Sequence, residues 1–228
     1  MSTITYKYFF AFDDGKRKSF TVRIDGNSLL LIPHSIQPTA WSRLSYNQCL
    51  CCPLSSSSVT NCPIALNLSE LISAFNDTVS CEATYVSCVT AERVVCKQTN
   101  VQDGLSSIMG LIMATSGCPV MDILKPMARF HLPFATVEES IFRSISVYLL
   151  RQYFIYLQEK ECDFQLEKVK SCYREIELVN NGMFKRINSA SKLDADNNAI
   201  IILNCLSQLL QLELDDNLQS LQPFFAEY

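Results

Sequence analysis

Gln48-Cys49-Leu50-Cys51-Cys52-Pro53, followed by Asn61-Cys62-Pro63 and, much later, Ser116-Gly117-Cys118-Pro119, are the stretches on which the reading turns. Cys49 and Cys52 form a C-x-x-C pair. Cys62 follows after a short spacer, and Cys118 after a long one. Four thiolates are the usual complement of a structural zinc ion or an iron–sulfur cluster. One C-x-x-C is a weak signal, but Cys52, Cys62 and Cys118 are each followed directly by proline. With this composition about 0.4 such steps are expected by chance. Proline after a ligand restricts the backbone on both sides of the step. The expected metal ligands are therefore Cys49, Cys52, Cys62 and Cys118. Zinc is preferred, because nothing else in the chain implies electron transfer. A [4Fe–4S] cluster is the alternative, since bacterial ferredoxin ligand runs also end in Cys-Pro. Cys51 is a substitute ligand whose side chain is expected to point away.

Residues around this core of cysteines predict an α+β fold. Residues 6–12 and 19–24 are aromatic and β-branched, and Asp13-Asp14-Gly15-Lys16 between them is turn material, so a β-hairpin opens the chain. Residues 28–32 are expected as a third strand stopped by Pro33. Residues 33–61 carry prolines and a serine run and little periodicity. A loop of this length needs a reason, and a bound metal would be one. Pro63 suits a first helical position, with Leu66, Leu71, Ile72 and Phe75 on one face of a helix over 63–75. Two strands follow over 81–90 and 92–98, then a helix over 101–115 closed by Gly117. Residues 119–133 read as a second irregular stretch.

From Thr136 the chain reads as helical. Thr136 and Glu139 make a capping box, opening a helix to about residue 160. The next helix uses Leu166, Val169, Tyr173 and Ile176 and is expected to stop at Asn180-Asn181-Gly182. A shorter helix over 183–191, one over 198–210 capped by Asp194 or Asp196, and a last one through Leu218, Leu221 and Phe225 complete the layout. Small antiparallel sheets thus precede a mainly helical half. The chain is expected to form one unit over 1–228. A strand-rich metal-binding part (1–133) followed by a helical part (134–228) is the alternative division.

The composition excludes some functions. The net charge of -4 and pI near 5.2 argue against broad nucleic-acid or anionic-membrane binding. No run approaches the apolar length of a transmembrane helix. The start lacks the charged region and cleavage site of a signal peptide, so a cytoplasmic protein is expected. Its eleven cysteines are then thiols or ligands rather than disulfides. Walker, dinucleotide-binding, zincin and nucleophile-elbow motifs are all missing.

A second cluster holds Asp122, Lys125, Arg129, His131, Glu138, Glu139 and Arg143. His131 and Glu138 are the candidates for acid–base chemistry. A histidine satisfied within a loop, beside helix-end ion pairs, is the stronger reading. Lys125, Arg129 and Arg143 suit an anionic small molecule, but sequence spacing does not bring them together. His34 has no recognisable partner.

The segments from Cys49 to Cys62, Gln102-Asp103-Gly104-Leu105, Ser116-Gly117-Cys118-Pro119 and Pro126-Met127-Ala128-Arg129-Phe130-His131-Leu132-Pro133-Phe134 resemble an uncharacterised bacterial family of unknown function. The likeness continues through Tyr148-Leu149-Leu150-Arg151-Gln152-Tyr153 and Asp194-Ala195-Asp196-Asn197-Asn198-Ala199. It implies a bacterial cytosolic protein with Cys49, Cys52, Cys62 and Cys118 as the family-type cysteines, and it brings no activity with it. The expected function is an accessory, regulatory or interaction role built on a structural metal site, more a binding protein than an enzyme. A protein partner or a second copy would meet the C-terminal helices. The alternative is a redox sensor or enzyme using Cys49/Cys52 or an iron–sulfur cluster, with His131. A thiol-rich interaction protein without metal is the third reading.

Overall fold

Strict alternation builds the first hairpin. In β1 (Thr3–Phe12) the residues Tyr6, Tyr8, Phe10 and Phe12 are buried, and Lys7 and Phe9 face outward. β2 (Arg17–Asp25) buries Val22 and Ile24 against them. The two-residue period of a strand places these side chains on one face. Gly15, at φ +84°, supplies the left-handed turn between the strands. β3 (Ala83–Val89) pairs with the other edge of β1, and β4 (Val94–Asn100) pairs with β3. The result is one antiparallel sheet in the order β2-β1-β3-β4. The computed structural model describes residues 2–32 and 37–225.

Two helices cover the buried face of the sheet. α1 (Pro63–Phe75) carries Leu68, Leu71 and Phe75 inward, and Phe75 meets Phe10 with ring centroids 4.8 Å apart. α2 (Val101–Thr115) follows β4 directly, and the Asn100 side chain accepts from the Asp103 N–H at 3.1 Å to cap it. Gly104 of α2 lies so close to the sheet that a Cβ there would sit 2.5 Å from the Phe10 ring. α2 is buried on nearly every side because α6 (Ala195–Asp215) packs on its far face. α6 belongs to the C-terminal half, so elements from both sides of residue 134 share one core.

The remaining helices are α3 (Lys125–Arg129), α4 (Val137–Tyr156), α5 (Glu167–Asn188) and α6 (Ala195–Asp215). α4 opens with the expected capping box: Thr136 accepts from the Glu139 N–H, and Glu139 accepts from the Thr136 N–H. The fold is α+β, with the sheet in the N-terminal half and most helices after it.

Several expectations need correction. Residues 28–32 do not form a strand; a single bridge joins Leu31 to Ile24. The first residues of the segment are taken up by a turn, in which the Asp25 carboxylate accepts from the Asn27 and Ser28 N–H groups and Leu29 takes φ +56°, and the Leu31 N–H goes to the Thr115 carbonyl of α2. Pro33 and His34 lie outside the described residues. Residues 119–133 are partly helical, with a 3₁₀ turn at Met121–Leu124 running into α3. α4 ends at Tyr156 rather than near residue 160. α5 runs straight through Asn180-Asn181-Gly182, because tertiary packing against a loop outweighs glycine's poor helix propensity. Asp194 and Asp196 flank the start of α6, yet neither side chain caps it. Asp194 instead accepts from the Ser80 N–H and hydroxyl, and Asp196 accepts from the Ser191 hydroxyl. The last turn, Gln222–Phe225, is 3₁₀ rather than α. Among the described residues no helix is long and apolar enough to cross a membrane.

Candidate functional site

The cysteine loop lies along one stripe of α5. Glu175, Val179, Gly182 and Arg186 recur at i, i+4, i+7 and i+11, the spacing of a single helix face. The Cys51 thiol donates to the Glu175 carbonyl at 3.4 Å, and the Cys49 thiol points at the Val179 carbonyl at 3.9 Å. Gly182 receives Cys49 directly: a Cβ at Gly182 would stand 2.5 Å from its sulfur. A side chain at 182 would therefore displace the loop. This is why a glycine sits inside a long helix.

Arg186 closes the stripe. It is fully buried and donates to the carbonyls of Trp41, Arg43 and Leu44 at 2.6, 2.8 and 3.0 Å. Leu44 and Cys62 add backbone bonds to Thr60 and Ser42. Protein hydrogen bonds thus already hold much of the irregular loop. Arg186 Nε finds no acceptor, and among the described residues no carboxylate pairs with this guanidinium. An unneutralised cation in a core is costly, so its surroundings invite negative charge.

The thiols beside it come from distant parts of the chain. Burial pushes the Cys49 thiol up to about 12; Cys62 and Cys51 push the same way, Arg186 opposes them, and Cys52 adds to the rise. Burial pushes Cys118 up to about 11, against N–H groups of Met121 and Val120 aimed at its sulfur, with Cys62 and Cys52 again raising it. Cys62 is the N-cap residue of α1, with Pro63 at the first helical position as expected. Cys52 and Cys62 thus both raise the pKa of Cys49 and of Cys118. Among the described residues, no three His, Cys, Asp or Glu side chains stand close enough to hold a metal ion in this conformation. Cys51 does turn away, toward the Glu175 carbonyl on α5.

The second cluster does not assemble as a unit. Lys125 pairs with Asp122 at 2.7 Å on the surface, and Arg129 lies over the exposed Phe130 ring, 5.9 Å from its centroid. Glu138 is exposed in the first turn of α4. His131 turns to the sheet: its Nε2 shares a hydrogen bond with the Tyr8 hydroxyl, and its ring stands edge-on to Tyr6 at 5.3 Å. Burial, with Arg143 nearby, lowers its pKa to about 3, so it is a neutral ring at ordinary pH. Tyr8 is held protonated, first by burial and then by Cys88. Arg143 alone of the cluster's cations points inward, donating to the Met127 and Phe130 carbonyls at 3.2 and 2.7 Å.

A domain of unknown function, DUF6901, matches residues 4–226, from the first strand to the last turn. The chain belongs to the DUF6901 family. No curated protein and no solved structure matches it. The matched span takes in the cysteine cluster, the His131 region and α5, so all of them belong to the DUF6901 fold rather than to an appendage. Sequence reasoning missed Gly182 and Arg186. The available signal was a glycine and an arginine four residues apart in an otherwise continuous helical pattern, at 182 and 186. It was misread as a helix end because glycine commonly marks one.

Proposed function

We propose that this chain is an accessory or interaction protein whose first half is fastened by a metal–thiolate centre of Cys49, Cys52, Cys62 and Cys118, with zinc as the metal. The observation that carries the reading is that Cys52 and Cys62 act on both Cys49 and Cys118, thiols of separate segments, with the buried cation of Arg186 acting on Cys49. A zinc ion with four thiolates is a net anion, and an unpaired guanidinium is a suitable neighbour for it. The two N–H groups aimed at Cys118 favour the thiolate form. Metal binding would deprotonate the thiols outright. The redox reading is supported less. Burial raises the Cys49 thiol rather than activating it, and His131 engages Tyr6 and Tyr8 instead of a cysteine.

Tyr153, Phe154, Tyr156 and Leu157 are all at least half-exposed or nearly so at the end of α4. We assign this edge to a protein partner or a second copy of the chain. All eleven cysteines are unpaired thiols, which fits a reducing compartment such as the cytoplasm.

The test is element-resolved metal content with an absorption spectrum, on protein purified without oxygen and without a chelating tag. About one zinc per chain, lost in Cys49→Ser and Cys118→Ser, is the outcome expected for structural zinc. Iron with sulfide and a broad visible band would replace zinc by a cluster. Folded protein holding neither metal, and taking up neither on reconstitution, would overturn the proposal.

A further inference from the structure

α5 has a second working stripe. Tyr173, Ile176 and Asn180, at i, i+3 and i+7, line an open cavity of about 380 Å³ between α2, α4, α5 and α6 and the segment 121–137, with Lys97 of β4 also in its lining. The room exists because α2 presents small residues there: Ser107, Gly110 and Ala114 follow the same spacing. Leu111, Leu203 and Leu206 give it apolar walls. Its volume falls within the range of about 300–1,000 Å³ typical of small-molecule sites, which pair apolar walls with a few polar groups.

Two cations, Lys97 and Arg143, line it against one acid, Asp103. Arg143 lines the cavity and is half-buried, and burial pulls its pKa down. One terminal nitrogen serves the Met127 and Phe130 carbonyls. Among the described residues the rest of the guanidinium has no acceptor, and no carboxylate forms an ion pair with it. Glu139, one turn earlier on α4, offsets part of that fall in pKa but forms no ion pair with Arg143, and its Oε2 accepts from the Thr136 N–H at 2.8 Å. Asp103, the acid in the cavity lining, is engaged by the Thr99 hydroxyl at 2.6 Å. His131 is neutral and adds no charge. A guanidinium fork left open against apolar walls is the arrangement that recognises a carboxylate.

We infer that this cavity binds a small amphipathic carboxylate, with its head on Arg143 and its apolar body between α2 and α6. The site is separate from the cysteine cluster and does not depend on the metal reading.

The experiment is calorimetric titration of the full chain with decanoate, decanol and decylammonium, with and without added zinc. Decanoate binds saturably at one site, at least tenfold tighter than decanol, and decylammonium does not bind. Arg143→Gln weakens decanoate at least tenfold and removes the preference over decanol. Leu203→Trp, which fills the cavity, abolishes binding while circular dichroism stays native. Equal affinity for all three ligands, or no saturable decanoate binding by the wild-type chain, would overturn the inference. So would undiminished binding in a folded Leu203→Trp protein. The ligand series on the wild-type chain decides the matter even if a variant fails to fold.

Discussion

The sulfur of Cys49 lies 2.5 Å from the point that a Cβ on Gly182 would occupy. In an ordinary helix interior, glycine to alanine adds about 1 kcal/mol of stability. Here Gly182→Ala should instead destabilise by roughly 1–3 kcal/mol, the cost of overpacking. The Cys49→Ala background should restore most of that loss, because the clash is with the sulfur itself. Urea denaturation of the four proteins of the cycle measures the coupling. Additive effects would show that the loop does not rest on Gly182.

Arg186 holds the irregular loop through three main-chain carbonyls. Arg186→Met keeps the apolar stem and removes the donors. A loss of about 3 kcal/mol or more is expected, since buried acceptors would be left unpaired. Limited proteolysis should then cut first within residues 43–60, and a native digestion pattern would count against this anchoring.

The buried thiols should be slow to alkylate. Cys49 and Cys118, raised to about 12 and 11 by burial, carry almost no thiolate at pH 8. Cys81, Cys96 and Cys205 are exposed and should react first with iodoacetamide, as peptide mass spectrometry would read. Because the buried thiols must lose protons to bind zinc, affinity should rise with pH and calorimetry should show proton release. Flat pH dependence between pH 6 and 9 would exclude these ligands.

His131 makes the fold acid-sensitive. Its folded pKa, about 3, lies below the ordinary 6.5 because the ring is buried. The unfolded chain therefore takes up a proton that the folded chain refuses. The stabilising contribution is complete above pH 6.5 and is lost as pH falls toward 3, at about 1.4 kcal/mol per pH unit. His131→Gln should flatten this part of the stability curve. In the wild type the His131 ring resonances should not titrate between pH 8 and 5.

Asp196 acts in the opposite direction. Burial raises its pKa from 3.8 to about 6, and one of its oxygens has no partner. The group contributes fully below pH 3.8, and its contribution falls away as pH rises to 6. Asp196→Asn keeps an acceptor for Ser191 and removes the buried charge. It should gain up to about 3 kcal/mol at pH 8 and nothing at pH 3.5. Equal midpoints in wild type and variant at pH 8 would refute the buried-charge account.

Much of the fold was legible residue by residue. The hairpin followed from the aromatic and β-branched runs on either side of Asp13-Asp14-Gly15-Lys16, α1 and α4 from Pro63 and Thr136 at their starts, and the end of α2 from Gly117. These are local signals, settled by backbone geometry and near neighbours. The strand expected over 28–32 is replaced by a turn around Asp25, with Leu29 at φ +56° and the Leu31 N–H given to Thr115 of α2. The break expected at Gly182 failed because the glycine answers to Cys49, which is remote in sequence. The partners of His131, Tyr6 and Tyr8, cannot be named from spacing, because they lie on a strand more than a hundred residues earlier.

The sequence by itself determined the α+β order, most helix starts, the choice of Cys49, Cys52, Cys62 and Cys118 as the cysteines of interest, and the family. Those properties rest on local periodicity, capping and residue identity. Only the tertiary structure decided that Cys49 rests on α5 near Arg186, that Gly182 makes room for its sulfur, and that Arg143 lines a cavity. Each depends on how α5 packs against segments more than a hundred residues earlier in places, as in the Arg186 bonds to Trp41 and Leu44. Packing of that kind follows from the burial of surfaces distant in sequence, which no local pattern encodes.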